Sequence, residues 1–514
     1  MLRRVGKAFI ALLSGQVLTI VAQLLLVPLF LKFWSVTVYG EWLALSSLVA
    51  YLSTFDFGTN MAAVNRMTQA WAKRDVRSYK KTQHTAIAFY LVIAIAGTVI
   101  LAIAALLMPF PSWLSLKEIG PIDAAWVARL LGIQILWSLP LDLMIDTYRT
   151  TGDLATSQWI RNGRQLLQAS LTAIALVLGG GVQLVAIVQL VSLAIIASGV
   201  LWDLWRRFPD LIPSFAQASL TEARELFRPS SRFFLITLAV TASDQGSVLV
   251  ISSALGGAAV ALFVTSRTLV NLIRQFLGML NSALWPDVTM MEARNDYGRL
   301  RIIHRLLTGA FISISIGYAA VLWVYGAEVI SVWTGGKLVA DQILLALLLL
   351  YAVLRSPWLA SSVIPAASNR HRILANAYLA SSIVGLVLAV LLVNRLGTWA
   401  IPISFMIAEG LFCYHFVVQD ACRIVRSTYS TFALRLWATM IVIALATVFA
   451  AWLISKEVIV LPHPFQWAIT AFLSFIIAGS LSWLLWFDAN ERSLSLNLAS
   501  RVKRKLFRHA SSPN

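Results

Sequence analysis

The sequence predicts an all-α polytopic membrane protein of about 14 transmembrane helices, and three observations predict it. The 514 residues are 59% hydrophobic and only 12% charged, with a mean hydropathy of +0.79. Apolar runs of about 20 residues, long enough to cross a hydrocarbon core about 30 Å thick, recur along the whole chain. The net charge of +18 is sorted between alternate loops, which makes it a topology signal and gives no reason to invoke nucleic acid.

The first run, 8–31, follows Leu2 to Lys7 in the manner of a signal peptide. It is too long for an h-region and reads as an uncleaved first span. Runs near 39–63, 85–109, 124–147, 164–180 and 183–204 complete a first set of six, with Gly179, Gly180 and Gly181 marking the turn before the last. A second six falls near 232–255, 258–286, 306–332, 342–364, 375–393 and 398–419, and two further runs near 434–455 and 466–487.

With loops assigned alternately to two sides, 32 of the 41 Lys and Arg residues share the side of the termini. The opposite side holds Lys32, Lys117, Lys337, Arg395 and Lys456, while Arg129, Arg267, Arg274 and Arg355 lie inside spans. By the positive-inside rule both termini are cytoplasmic. The cluster from Arg501 to Arg508 reads as a tail facing lipid headgroups. Every outer loop is short, the longest being 110–123, so no outer domain is expected. Three inner stretches, 66–84, 206–231 and 289–305, read as amphipathic helices along the interface.

The halves repeat in register. Ala72, Asp75 and Lys80 match Ala293, Asp296 and Arg301 at an offset of 221, which also pairs Gln23 with Asp244 and Asn60 with Asn281. The parse is two pseudo-symmetric six-helix lobes, 1–205 and 232–420, joined by a cytoplasmic linker at 206–231. Two C-terminal helices within 421–490 and a basic cytoplasmic tail at 491–514 follow. Such repeats point to a transporter with its site between them.

The run 258–286 is the most informative. Arg267, Asn271, Arg274, Gly278 and Asn281 recur at helical spacing on one stripe. At about 1.5 Å per residue, Arg267 lies roughly 14 Å and Arg274 roughly 24 Å from Ala258. Charges at such depth cost about 3 kcal/mol or more, so two on one face predict a polar path for something anionic. The matching positions of the first lobe, Ser46, Ala50, Ser53, Phe57 and Asn60, are small or neutral. Asp244 stands level with Arg267 across a hairpin turning near Gly256, so Arg267 either pairs with it or meets a ligand. Thr237, level with Arg274, cannot neutralise it, which makes Arg274 the stronger anion-binding candidate.

Among the carboxylates, Asp56 reads either as a proton or sodium site or as a helix-end group reaching interfacial water. Glu409 either pairs with Arg355 or serves ion coupling. Asp142 and Asp146 read as solvated, and Arg129 as near enough to the outer surface to snorkel. The six histidines show no ligand spacing, and Cys413 and Cys422 lie in or beside apolar helix, so neither metal nor disulfide is expected. No GxSxG, HExxH, P-loop or GxGxxG stands at a suitable boundary. The chain therefore reads as a non-enzyme without catalytic residues or cofactors, driven by a substrate or ion gradient.

Val38-Tyr39-Gly40-Glu41-Trp42, then Tyr51-Leu52 and Asp56-Phe57-Gly58, resemble the second span of bacterial polysaccharide flippases. These are the O-antigen-unit translocases of the superfamily of multidrug, oligosaccharidyl-lipid and polysaccharide exporters. Glu225-Leu226-Phe227, Asp244, Gly256-Gly257, Trp285-Pro286 and Glu292-Ala293-Arg294-Asn295-Asp296 resemble the second lobe, and the resemblance covers most of 1–420. The turn after Gly257 departs from it, reading Ala-Ala-Val-Ala-Leu where many relatives have Val-Gly-x-Tyr.

The resemblance implies two six-helix bundles around a cationic cavity in the bacterial inner membrane. It implies translocation of a polyprenyl-diphosphate-linked oligosaccharide to the outer leaflet by alternating access, for O-antigen, capsule or exopolysaccharide assembly. Arg274 and Arg267 would then meet the diphosphate, whose oxygens suit guanidinium, and Asn271, Asn281, Ser53 and Asn60 the sugars. Asp56 and Asp244 occupy places of carboxylates associated with ion coupling. The final two spans look like the pair that borders a lipid-tail groove in related flippases. Expected partners are the lipid-linked substrate, membrane lipids, a proton or sodium counter-ion and the polysaccharide polymerase. Two other readings stay open. A multidrug or cation antiporter of the same superfamily predicts an acidic cavity, and a membrane enzyme of glycan assembly needs a large outer loop or a nucleotide-sugar domain.

Overall fold

The computed structural model describes residues 2–212, 214–368, 370–457, 463–488 and 492, and every regular element among them is helical. In chain order the α-helices are α1 (Leu2–Phe33), α2 (Val36–Ala50), α3 (Thr59–Ala72), α4 (Val76–Leu107), α5 (Phe110–Trp113) and α6 (Pro121–Thr150). Next come α7 (Leu154–Val177), α8 (Val182–Arg207), α9 (Leu220–Thr241), α10 (Ser247–Leu255), α11 (Gly257–Ala293) and α12 (Tyr297–Trp333). Last are α13 (Gln342–Ala367), α14 (His371–Leu396), α15 (Ala400–Glu409), α16 (Val418–Ile424), α17 (Tyr429–Glu457) and α18 (His463–Leu485).

Each of the fourteen apolar runs is helical, and among the described residues eleven helices are long and apolar enough to cross a membrane. The difference has local causes. The second run is not one helix: α2 tightens into a 3-10 turn over Tyr51–Asp56, and Phe57 (φ 49°) and Gly58 (φ 71°) turn left-handed before α3 begins. Run five lies in α7, a helix that also carries Arg161 and Arg164. Runs eleven and twelve join through a short 3-10 turn at Gly397–Trp399 and count as one.

The inner stretches differ from expectation. Residues 66–84 and 289–305 are not separate interfacial helices but continuations of α3 into α4 and of α11 into α12. Both reversals use one device. A left-handed residue, Arg74 (φ 59°) or Asn295 (φ 54°), precedes an aspartate that caps the next helix. Asp75 accepts from the Ser78 N–H at 2.9 Å and Asp296 from the Arg299 N–H at 3.2 Å, satisfying donors a helix start leaves open. The two turns are 221 residues apart, the offset of the sequence repeat. Of 206–231, Leu220 onward belongs to α9. The basic tail from 493 lies outside the described residues.

The chain forms two compact units. The first comprises Met1–Leu269, Ile330–Ala340 and Tyr378–Phe405. There α1 packs on α7, and α4 and α8 pack on α6. Met67, Tyr79, Tyr90 and Leu143 centre one core cluster, and Ile145, Tyr148 and Leu204 another. The second comprises Val270–Val329, Asp341–Ala377 and Met406–Asn514. Its core gathers Ile273, Leu277, Phe311, Ile364 and Ala421 from α11, α12, α13 and α16. Within lipid such packing depends on close van der Waals fit more than on removal of apolar surface from water.

Candidate functional site

α11 is continuous from Gly257 to Ala293, with residues to Leu269 in the first unit and from Val270 in the second. Arg267, Asn271, Arg274 and Asn281 therefore share one regular helix and are all half-buried. Arg267 reaches the residue predicted to stand level with it. Its Nη1 donates to the Asp244 backbone carbonyl at 2.7 Å, and its guanidinium lies 5.1 Å from the Phe263 ring. Asp244 sits in a π-helical segment, Ala242–Gly246, where the wider turn disturbs the regular backbone ladder. Asn281 donates to the Leu359 carbonyl at 2.9 Å, and its Oδ1 is buried without a partner among the described residues.

The first-lobe stripe is interrupted by the break in the second span. Ser53 is exposed in the 3-10 turn and donates to the Ala50 carbonyl at 2.7 Å. Asn60 lies beyond the break on α3, and its Nδ2 donates to Asp146 at 3.0 Å. Between them Asp56 accepts from the Asn60 backbone N–H at 3.1 Å and from the Tyr90 hydroxyl. A carboxylate is what a helix start inside a span requires, because its first N–H groups lack carbonyl partners.

Asp146 is buried, contrary to the sequence reading, and Asp142, a quarter exposed, is ion-paired. They stand one turn apart on α6 and meet Arg161 and Arg164, i and i+3 on α7. Asp142 receives Arg161 Nη1 at 2.8 Å and Arg164 Nη1 at 3.0 Å, and Asp146, 3% exposed, receives Arg161 Nη2 at 3.0 Å. This network joins three carboxylates to two guanidiniums, and Asp56 is the member outside any ion pair among the described residues.

In the second unit, Arg355 and Glu409 do pair, at 3.6 Å, both almost fully buried. Glu409 also accepts from the Tyr351 hydroxyl at 2.6 Å and Trp358 Nε1 at 2.8 Å. Arg355 donates to the Tyr351 oxygen at 3.0 Å and lies 5.2 Å from the Trp358 ring. A second π-helical segment, Gly410–Val417, starts directly after Glu409.

Sequence reasoning assigned no role to Glu41. It is fully buried and accepts from the backbone N–H groups of Lys117, Glu118 and Ile119, the last at 2.7 Å. Beside it Gly40 meets Gly257 backbone to backbone, so closely that a Cβ on Gly40 would stand 1.7 Å from the Gly257 carbonyl oxygen. Ser252 donates to the Leu114 carbonyl at 2.7 Å and Ser115 to that of Ser253 at 3.0 Å. Trp333 Nε1 donates to Leu24 at 2.7 Å, and Lys337 to Leu31. All these residues belong to the first unit, and they join the ends of α1 and α2 to those of α10, α11 and α12. A lone carboxylate next to a glycine at the start of an apolar run was the available signal. Among the described residues no cluster of His, Cys, Asp and Glu has the arrangement of a metal site.

The profile of a family described as "Polysaccharide biosynthesis protein" matches residues 5–292. No curated protein matches the chain. Among solved structures, the chain is similar to the lipid II flippase MurJ in an inward closed conformation. The TM-score is 0.70 at 12% identity, over 93% of this chain and 98% of that one. It is similar also to an inward-facing multidrug resistance MATE family transporter of the MOP superfamily. There the TM-score is 0.65 at 16% identity, over 81% of this chain and 98% of that one. At such identities these similarities show the fold. The family match spans more than half the chain, which therefore belongs to the polysaccharide biosynthesis protein family.

Proposed function

We propose that this transporter flips a polyprenyl-diphosphate-linked oligosaccharide from the cytoplasmic to the outer leaflet of the bacterial inner membrane, for O-antigen, capsule or exopolysaccharide assembly. The observation that carries the reading is the cationic face of α11 in a chain of this family. Arg267 and Arg274 stand two turns apart, about 10 Å along one helix axis, and guanidinium forks match phosphate oxygens. Asn271, Asn281, Ser53 and Asn60 supply amide and hydroxyl groups for sugars. The prenyl tail stays in lipid, and the polysaccharide polymerase takes the delivered unit.

The topology we infer has fourteen crossings in two six-helix lobes plus two helices, with both termini cytoplasmic. On that topology the end joined through Gly40, Gly257 and Glu41 is the outer one. Contacts that hold the outer ends of these helices together within the first unit, with substrate entering from the cytoplasm, support alternating access. Of the three ion-coupling candidates Asp56 is preferred, because among the described residues it stands outside any ion pair, whereas Glu409 is held by Arg355, Tyr351 and Trp358.

The test measures polyprenyl-diphosphate-linked glycan on the outer leaflet of a deletion strain carrying wild type or Arg274→Ala at equal expression. Loss with alanine, partly restored by lysine, is expected. Full transport by the alanine variant would move the anion site off Arg274. No difference between wild type and the empty strain would sink the flippase reading and favour drug or cation efflux, measured in the same strains.

A further inference from the structure

We propose that a recess between the end of α4 and the start of α6 binds the phosphate of an anionic membrane phospholipid through Arg129. The recess measures about 330 Å³, and its lining includes Met108, Phe110, Pro111, Ile122, Trp126 and Arg129. Arg129 is the one charged side chain in that lining. It stands eight residues into α6, about 12 Å from its start, with its guanidinium 5.6 Å from the Trp126 ring.

Among the described residues Arg129 meets no anion. Its Nε is buried and has no hydrogen-bond partner, and it joins no ion pair among the described residues. The neighbouring carboxylates are engaged elsewhere: Asp123 accepts from Gln183 at 2.6 Å and Glu118 from Ser35 at 2.6 Å. A charged donor sealed without an acceptor is costly. The half-buried Arg129 side chain lines the recess, so a phosphate entering it would meet the guanidinium groups that remain accessible.

The surroundings select the acceptor. One candidate span ends at Ala104 and the next begins at Pro121, so the recess lies at a membrane interface, where lipid phosphates sit. Around it Leu107, Trp113, Ile122 and Trp126 are 77%, 57%, 74% and 49% exposed, an apolar and aromatic rim suited to acyl chains and the headgroup boundary. A soluble anion would gain nothing from that rim.

Purified full-length protein in neutral detergent is titrated with phosphatidylglycerol, and bound lipid is counted by native mass spectrometry alongside thermal unfolding. Arg129→Gln is expected to lower apparent affinity about five-fold or more, as the loss of one interfacial cation–phosphate contact implies, and Arg129→Lys to retain part of it. Ala125→Trp, which fills the recess while keeping the arginine, should also lose the lipid. It supplies the test if the glutamine variant does not fold. Unchanged binding in Arg129→Gln or Ala125→Trp would overturn the proposal. So would equal stabilisation by inorganic phosphate alone, which would assign a free-anion site. Stronger binding of polyprenyl diphosphate than of phosphatidylglycerol would assign the recess to the substrate instead.

Discussion

The first unit gathers three carboxylates about two arginines; in the second, one glutamate faces one arginine between two aromatic donors. Both clusters sit where the helix is irregular, at the Phe57–Gly58 break in one and at the π-helical turn after Glu409 in the other. The stoichiometry separates their uses. Glu409 is saturated by Arg355, Tyr351 and Trp358 and holds α13 against the span that carries it. Asp56, with a hydroxyl and a backbone N–H for partners, can take up a proton without stranding a cation. A surplus carboxylate is suited to exchange and a matched pair to structure.

Glu409→Ala should therefore be the most damaging change. It removes the carboxylate facing Arg355 and the acceptor of two aromatic donors, at a cost of about 3–5 kcal/mol. Folded yield in detergent should collapse, with Glu409→Gln milder. A Glu409→Ala variant that folded normally would show that the second cluster is not structural. In the first unit Asp146→Asn should cost less, about 1–3 kcal/mol, because Arg161 keeps Asp142. Thermal unfolding of the two variants side by side measures the difference.

Asp56→Asn sharpens the contrast further. The amide oxygen can still accept from Asn60 and Tyr90, so stability should change by about 1 kcal/mol or less. Transport should nevertheless lose its dependence on the proton or sodium gradient. Glycan delivery measured with and without an uncoupler checks this. Gradient-dependent transport by the Asn variant would remove Asp56 as the coupling group.

Much of this was legible in the sequence. Run length gave the spans, and mid-span charges flagged Arg267, Asp244, Arg355 and Glu409, because isolated charges stand out against apolar helix. Hydropathy runs unchanged through Phe57, so the break was hidden: it depends on two left-handed residues and a capping carboxylate, which are backbone properties. Asp142 and Asp146 were misread because their partners lie on α7, whose arginines looked like loop residues until the helix was seen to begin at Leu154. The amphipathic stretches were misread as surface helices because periodicity does not tell a helix lying on lipid from the extended end of a span. Glu41 went unassigned because its partners are backbone N–H groups, which no side-chain pattern records.

Asp488 provides the exposed version of Asp142. Each carboxylate is shared by two arginines, here Arg305 at 2.6 Å and Arg435 at 2.7 Å, but Asp488 is about half exposed. Hydrogen bonds from Arg305 and then Arg435 hold its carboxyl below the ordinary value of 3.8. The folded protein therefore gives up this proton more readily than the unfolded chain. The stabilisation is complete above about pH 4 and disappears as pH falls through the lowered folded value. Solvent screening limits it to about 0.2–1 kcal/mol. Asp488→Asn should thus lower the unfolding temperature slightly at pH 7 and not at all at the acid end, and added salt should shrink the difference. An Asp488 effect as large as that of Asp146, or one insensitive to salt, would mean that the α12–α17 junction is sealed from water and that burial does not divide these clusters as proposed.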